Sequence, residues 1–91
     1  MIAWDALPGG ELVREGLDDL GKRELTAAAL LVSLGAPRLR ALGVDVPQPF
    51  AEADHRLWAL LAAEDPDAAH GRYNALVRRL VSFERSLACA A

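Results

Sequence analysis

The sequence has few cysteine and aromatic residues. Its 91 residues include one cysteine and one tyrosine, and aromatic residues make up only 5% of the chain. The lone Cys89 excludes an internal disulfide framework and a zinc site built on cysteines. Gly9-Gly10 has neither the spacing nor the lysine of a P-loop, and no Gly-x-Ser-x-Gly elbow is present. The sequence therefore offers none of these motifs as a starting point for a function.

Long apolar runs are also missing. No stretch reaches the roughly 18 consecutive apolar residues that a membrane span needs, and the N-terminus lacks the basic and apolar regions of a secretion signal. Ten basic and 13 acidic residues give a net charge of −3, which argues against a chain coated in nucleic acid. A hydrophobic fraction of 53% is too high for a disordered chain. We expect one cytoplasmic domain over residues 1–91, without a cofactor and without a membrane.

What the sequence does contain is helical periodicity, interrupted by glycine and proline. Apolar residues three and four apart predict a helix over Gly10–Leu20 that stops at Gly21. A second helix is predicted from an N-cap at Thr26 to Gly35, and because apolar residues surround it, we expect it to be the central element. Proline in its first turn predicts a short third helix over Pro37–Leu42.

Two longer helices are predicted in the second half of the chain. Prolines keep the Val44–Pro49 link extended, and a helix over Phe50–Ala63 follows, with Trp58 at the edge of its apolar stripe. Asp65-Pro66 matches an N-cap followed by proline at the first helical position, so the last helix should run from there to about Leu87. No strand-like alternation is found. The predicted fold class is all-α, a small antiparallel bundle of four main helices plus one short helix.

Two carboxylate–x–x–His pairs raise the question of a di-metal site. They are Glu52 with His55 and Asp67 with His70, and such pairs on facing helices form half of a di-iron site. At about 100° per residue, Glu52 and His55 point away from the apolar stripe of their helix. The second helix also supplies no inward glutamate. We therefore predict that these residues are solvated and hold no metal.

A polar stripe is predicted on one flank of the last helix, formed by His70, Asn74, Arg78 and Arg85. Its residue types could hold an anionic ligand or an RNA phosphate. Imidazole titrates near neutrality, so His70 could also act as a general acid or base. The alternative is an ordinary solvated face whose charges pair with acids on neighbouring helices.

A basic patch is predicted on the other flank, where Arg72 and Arg79 lie two turns apart. With Arg78 and Arg85 they make the most basic helix of the chain, and a basic helix face can bind nucleic acid. No aromatic residue interleaves with these arginines to stack bases, as single-strand binders usually provide. The pattern supports nucleic-acid binding only as a second interpretation.

An apolar surplus at the helix edges predicts an interface. Glu84 falls within about 50° of the centre of the last apolar stripe, where a carboxylate is costly unless it is paired. It would serve there either as an acid of raised pKa or as half of an ion pair, including one with another subunit. Trp4, Trp58, Val81 and Ile2 fall outside the stripes or at their edges, and burying a large side chain stabilises by about 1.5–3 kcal/mol. Trp4, Trp58, Val81 and Glu84 therefore form a candidate interface of a symmetric homodimer.

Three functions follow, in order of support. The first is a small helical interaction or assembly module, homodimeric or bound to another protein, without catalytic activity of its own. The second is a nucleic-acid-associated regulator that binds through the arginines of the last helix. The third is a helical ribonuclease-like enzyme that uses His70.

Overall fold

The computed structural model describes residues 4–90, and the fold in this range is all-α. Five α-helices follow a short 3₁₀ helix over Trp4–Ala6: α1 (Gly10–Gly21), α2 (Ala27–Leu34), α3 (Ala36–Ala41), α4 (Ala53–Glu64) and α5 (Ala69–Ala90). No strand occurs in the described range. The predicted bundle of four main helices and one short helix is confirmed. Ile2, part of the predicted apolar surplus, lies outside the described residues.

The second helix is the centre of the core, as its apolar character predicts. Every residue from Ala28 to Ser33 is buried. The predicted N-cap also forms, because the Thr26 hydroxyl accepts a hydrogen bond of 3.1 Å from the Ala29 backbone N–H. Helices α1 and α4 both pack against α2, and α5 packs on α4 and also contacts α1 and α2. The core therefore surrounds α2 and leaves the outer faces of α4 and α5 to solvent.

Helices α1 and α2 approach each other at a glycine. A Cβ placed on Gly16 would collide with the backbone carbonyl of Ala28 and would lie 2.8 Å from a methyl group of Val32. Only a residue without a side chain fits there, since interiors of this kind are packed as densely as organic crystals. Gly16 thus allows the backbones of α1 and α2 to pack closely.

The start of α4 differs from the prediction by three residues. Phe50 does not belong to the helix, because its backbone N–H donates to the Ser33 hydroxyl at 3.0 Å. Its ring instead lies between two guanidinium groups, 4.3 Å from Arg23 and 5.3 Å from Arg56. Glu52, the N-cap of α4, has a left-handed backbone with φ of 53°. Contact with α2 thus outweighs the local tendency to extend the helix.

The boundaries of α5 also shift. The predicted cap forms, since Asp65 Oδ1 accepts from the backbone N–H of Asp67 at 3.1 Å and of Ala68 at 3.3 Å. Those residues form a turn, however, and the α-helix begins only at Ala69. At the other end the helix continues past the predicted Leu87, so that Cys89 is an exposed helical residue.

The folded chain completes its own core. It exposes 5310 Å² of surface, close to the roughly 5,200 Å² typical of a monomer of this mass. Among the described residues, the large hydrophobic side chains that stay exposed are Leu25 at 46% and Trp58 at 41%. No helix in the described range combines the length and apolar character needed to cross a membrane. A general excess of apolar surface is therefore absent from this part of the chain, and exposure is concentrated at these two residues.

Candidate interaction surface

A groove lies between α4 and α5 at the surface of the protein. It has a volume of about 380 Å³ and is open to solvent. We call it the α4–α5 groove. It is lined by Asp54, His55 and Trp58 from α4 and by His70, Tyr73 and Asn74 from α5. Both histidines and the single tyrosine of the chain thus meet at one place.

The helical repeat brings these side chains together. Asp54 and Trp58 are four residues apart, as are His70 and Asn74, so each pair lies on one flank of its helix. The two helices are antiparallel, and the ion pair between Arg72 and Glu64, at 3.0 Å, joins the end of α4 to the start of α5. The groove therefore lies on the solvent side of the contact between α4 and α5.

Aromatic contacts hold Trp58 in place at the rim of the groove. The ring centroid of Trp58 lies 6.0 Å from that of His70 and 5.9 Å from that of Tyr73, both with edge-to-face orientation. Such contacts contribute about 0.5–1.5 kcal/mol beyond the buried area. Trp58 is thus positioned by its neighbours although much of its surface remains free.

The polar groups of the groove are largely bonded to each other. The Tyr73 hydroxyl donates a short hydrogen bond to Asp54. This bond, with some desolvation, raises the pKa of Tyr73 above its ordinary value, because loss of the proton would place a phenolate beside a carboxylate. The Asn74 amide lies 3.2 Å from His70 Nε2. The groove consequently presents an aromatic anchor framed by paired polar groups.

The predicted polar stripe is divided between two settings. His70 and Asn74 line the groove, whereas Arg78 and Arg85 lie further along α5 as exposed residues. Within the predicted basic patch, Arg72 is bound to Glu64 and Arg79 is exposed. The two pairs of arginines lie on flanks of α5 separated by more than about 100°. They do not form one continuous basic face.

The candidate interface residues also occupy different places. Trp4 is half-buried, with its ring 5.6 Å from that of Phe83 and the Arg14 guanidinium 5.6 Å from its centroid. Trp58 is exposed at the groove. Val81 and Glu84 are half-buried on α5. The apolar surface of Trp4 is therefore largely used within the chain, and Trp58 is the principal anchor of the four that is still available to a partner.

Glu84 lies in a partly desolvated position beside the break between α2 and α3. Its Oε2 is 3.5 Å from the point where a Cβ on Gly35 would stand. Burial raises the pKa of Glu84 above its ordinary value, and the charge of Arg38 acts in the opposite direction. No hydrogen bond or ion pair engages this carboxylate within the described residues. The predicted ion pair with an arginine is therefore absent within this part of the chain.

The sequence does not identify three residues of the groove. Asp54 carries no predicted role, Tyr73 is assigned to the core face of its helix, and His55 is assigned to solvent. The usable signal is the spacing of Asp54 and Trp58 by one turn, which places both on the flank that α5 covers. No group of three or more metal-ligating side chains comes together in the described residues. Glu52 is exposed, and Asp67 lies in the turn before α5.

Comparisons with known proteins give no relative for this fold and groove. Neither a protein-family model, nor a curated protein, nor a solved structure matches the chain.

Proposed function

We propose that the protein is a small cytoplasmic interaction module, without catalytic activity of its own, that forms a homodimer through the shared outer face of α4 and α5. The observation that carries the proposal is Trp58, which is 41% exposed although its ring makes edge-to-face contacts with His70 and Tyr73. Tryptophan is among the residue types most enriched at the energetic centres of interfaces. The exposed thiol of Cys89 suits a reducing compartment.

Preorganisation makes Trp58 suited to binding. A side chain that becomes fixed only in a complex costs about 0.5–1.5 kcal/mol of lost rotamer freedom. His70 and Tyr73 already restrict the indole ring in the free chain. The paired polar groups around it can serve as the rim that keeps water from a buried anchor.

The charges of this face favour a second copy as the partner. Asp54 and the Arg72–Glu64 ion pair place charges of both signs on one surface. In a two-fold interface the same surface occurs on both sides, so a face of one sign would repel itself. A face of mixed sign can match itself when it is rotated.

The two alternatives from the sequence have less support. Nucleic-acid binding needs a continuous basic surface, but Arg72 is bound to Glu64 and the other arginines of α5 are divided between two flanks. A ribonuclease-like role needs His70 beside a cation at the reacting phosphate. The neighbours of His70 are Trp58 and Asn74.

The test compares the two exposed hydrophobic residues. Light scattering after size-exclusion chromatography should show a dimer of wild-type protein at tens of micromolar. Trp58→Ala should raise the dissociation constant by about thirtyfold or more, the change expected for an interfacial anchor. Leu25→Ala removes a side chain of similar exposure outside the α4–α5 face and should leave the dissociation constant unchanged.

The outcomes separate the three functions. A wild-type monomer at 500 µM would overturn the proposal, as would equal effects of the two variants. Binding of RNA or DNA that falls steeply with salt and is lost in an Arg78→Ala, Arg79→Ala variant would favour the regulator. RNA cleavage that is lost in His70→Ala, with the fold retained, would favour the enzyme. Circular dichroism of each variant reports whether the fold is retained.

A further inference from the structure

Helix α5 carries a second stripe beside the one that faces the core. The core stripe consists of Ala69, Tyr73, Leu76, Leu80, Phe83 and Leu87. One residue further along, a second set repeats the same alternation of four and three residues: His70, Asn74, Val77, Val81, Glu84 and Ala88. We call this set the α5 seam. A 4–3 repeat is the pattern by which one helix packs along another, so α5 can pack on a second helix in addition to its own bundle.

The middle of the seam is apolar and its flanks are polar. Val77 and Val81 are half-buried, and Val77 also packs against the core of its own chain. Asn74 lies three residues before Val77 and Glu84 three residues after Val81, and both polar residues are half-buried. The ends, His70 and Ala88, are exposed. The seam runs about 27 Å along the helix at 1.5 Å per residue. It therefore forms a long, narrow surface with two valines at its centre.

The positions of the seam are symmetric about its midpoint at the level of residue 79. Val77 and Val81 lie two residues to either side, and Asn74 and Glu84 lie five residues to either side. A two-fold axis through this point would place valine against valine and the Asn74 amide against the Glu84 carboxylate. The amide donates hydrogen bonds and an ionised carboxylate accepts them, so the two groups are complementary.

Glu84 gives this match a physical reason. Its carboxylate is partly desolvated and has no hydrogen bond or ion pair within the described residues, so it is free to accept a hydrogen bond from a partner. A second copy rotated about this axis brings a donor, Asn74 of the partner subunit. The cationic Arg78 of the partner subunit lies one turn further along the same helix.

We infer that the homodimer forms by antiparallel packing of α5 on α5 of a second copy, with the two-fold axis at residue 79, so that Val77 faces the partner's Val81 and Glu84 faces the partner's Asn74. This inference rests on the proposed function and adds the surface, the direction and the register of the dimer.

The same register places the groove beside the partner. His70 and Asn74 belong to both the seam and the α4–α5 groove. Antiparallel packing about residue 79 therefore brings the C-terminal half of the partner's α5 to the level of the groove, in which Trp58 lies. The antiparallel register thus joins the groove and the seam in one interface.

A parallel arrangement would lose these matches. Each seam residue would then face its own copy, and Glu84 would face Glu84 of the partner subunit. Two partly buried carboxylates repel each other, whereas the antiparallel pair separates them by ten residues along the helix. The direction of the α5–α5 packing is therefore the feature that best distinguishes the inference from its alternative.

Single cysteine substitutions test both the direction and the register in which α5 packs on α5 of the second copy. Val77→Cys and Val81→Cys are made separately in a Cys89→Ser background and are oxidised alone and as an equimolar mixture. Disulfides need Cα atoms within about 7 Å, so only facing positions cross-link. The mixture should give a covalent dimer of one chain of each kind, and each variant alone should stay largely monomeric under denaturing electrophoresis.

Each of the remaining outcomes overturns either the inferred packing of α5 or the proposed function as well. Efficient cross-linking of each variant with itself would show parallel packing and refute the inference. Dimers in solution with no cross-link in any sample would place the interface elsewhere, leaving the proposed function intact. Monomers throughout, in the wild type as well, would refute both.

Exchanging the side-chain types at positions 74 and 84 provides a second, independent test of the register. Asn74→Asp alone places two carboxylates together and should raise the dissociation constant at least about tenfold. Adding Glu84→Asn exchanges donor and acceptor and should restore it to within about threefold of wild type. Failure of the second change to restore binding in a folded, soluble variant would contradict the register.

Discussion

The contact between α1 and α2 and the outer face of α4 and α5 are built in opposite ways. At the first, a missing side chain at Gly16 lets two backbones approach, and the surrounding residues of α2 are buried. At the second, a large side chain, Trp58, stands partly free above a groove of polar groups. The comparison indicates that stability is concentrated around α2, whereas the surface available to a partner lies on α4 and α5.

The largest effect on stability is expected at the helix contact. Gly16→Ala would force α1 and α2 apart, because the added Cβ meets the Ala28 carbonyl. Overpacking of this kind costs about 1–3 kcal/mol of unfolding free energy. The control is Gly21→Ala at the end of the same helix, where a Cβ meets no atom within 4 Å. Urea denaturation should separate the two variants, and equal stabilities would refute the role assigned to Gly16.

Ser33 tests how α2 positions α4. Its buried hydroxyl donates to the Ala29 carbonyl at 2.8 Å and accepts from the Phe50 N–H. Ser33→Ala leaves that N–H without its partner, and we expect a loss of about 1–2 kcal/mol in unfolding free energy. The exposed Ser82→Ala on α5 serves as the control. A loss no greater than that of the control would show that the start of α4 does not depend on this bond.

The groove should contribute less to stability than either core position. Tyr73→Phe removes the hydroxyl that donates to Asp54 while keeping the ring beside Trp58. Because this bond is exposed to solvent, we expect a loss below about 1 kcal/mol. A larger loss of stability in thermal denaturation would mean that the α4–α5 face also contributes substantially to the stability of the fold.

The smallest effect is the pH dependence of Glu84. Its pKa is raised in the folded state above the ordinary value of 4.5. The folded state therefore holds this proton more tightly than the unfolded state, so the stability contributed by the group falls as pH rises from below 4.5 through the raised value. Glu84→Gln lacks this titration and should be more stable than wild type at pH 7 by under about 1 kcal/mol, with the screening of a partly exposed group.

Denaturation at pH 3 and pH 7, at about 1 µM to keep the chains apart, measures this difference. The advantage of the glutamine variant should be larger at pH 7. A larger advantage at pH 3 would mean that the folded state favours the charged carboxylate instead.

The fold could be predicted from the sequence where local signals agree with packing. Thr26 caps α2 as expected, and Gly35 separates α2 from the short helix α3, which begins at Ala36, one residue before the predicted Pro37. The start of α4 could not be predicted from the sequence, because the Ser33–Phe50 hydrogen bond joins residues 17 positions apart. Periodicity describes one helix at a time and contains no information on such a contact.

The site was only partly predictable for the same reason. Trp58 and His70 are both candidates from the sequence, but as members of different sets. Their meeting depends on how α4 and α5 are aligned, which follows from the buried residues of the two helices, Leu57, Leu61 and Ala69 among them. The role of Tyr73 changes as well, since a residue of the core stripe also lines the groove.

Two-dimensional NMR of the wild-type chain on dilution tests the central claim most directly. Between about 500 and 5 µM, where an interface of modest size dissociates, the signals of the Trp58 indole N–H and of the Val77 and Val81 methyl groups should shift. Those of the buried Val32 should stay in place. Spectra that do not change with concentration, or shifts centred on α1 and α2 instead, would contradict a dimer formed through α4 and α5.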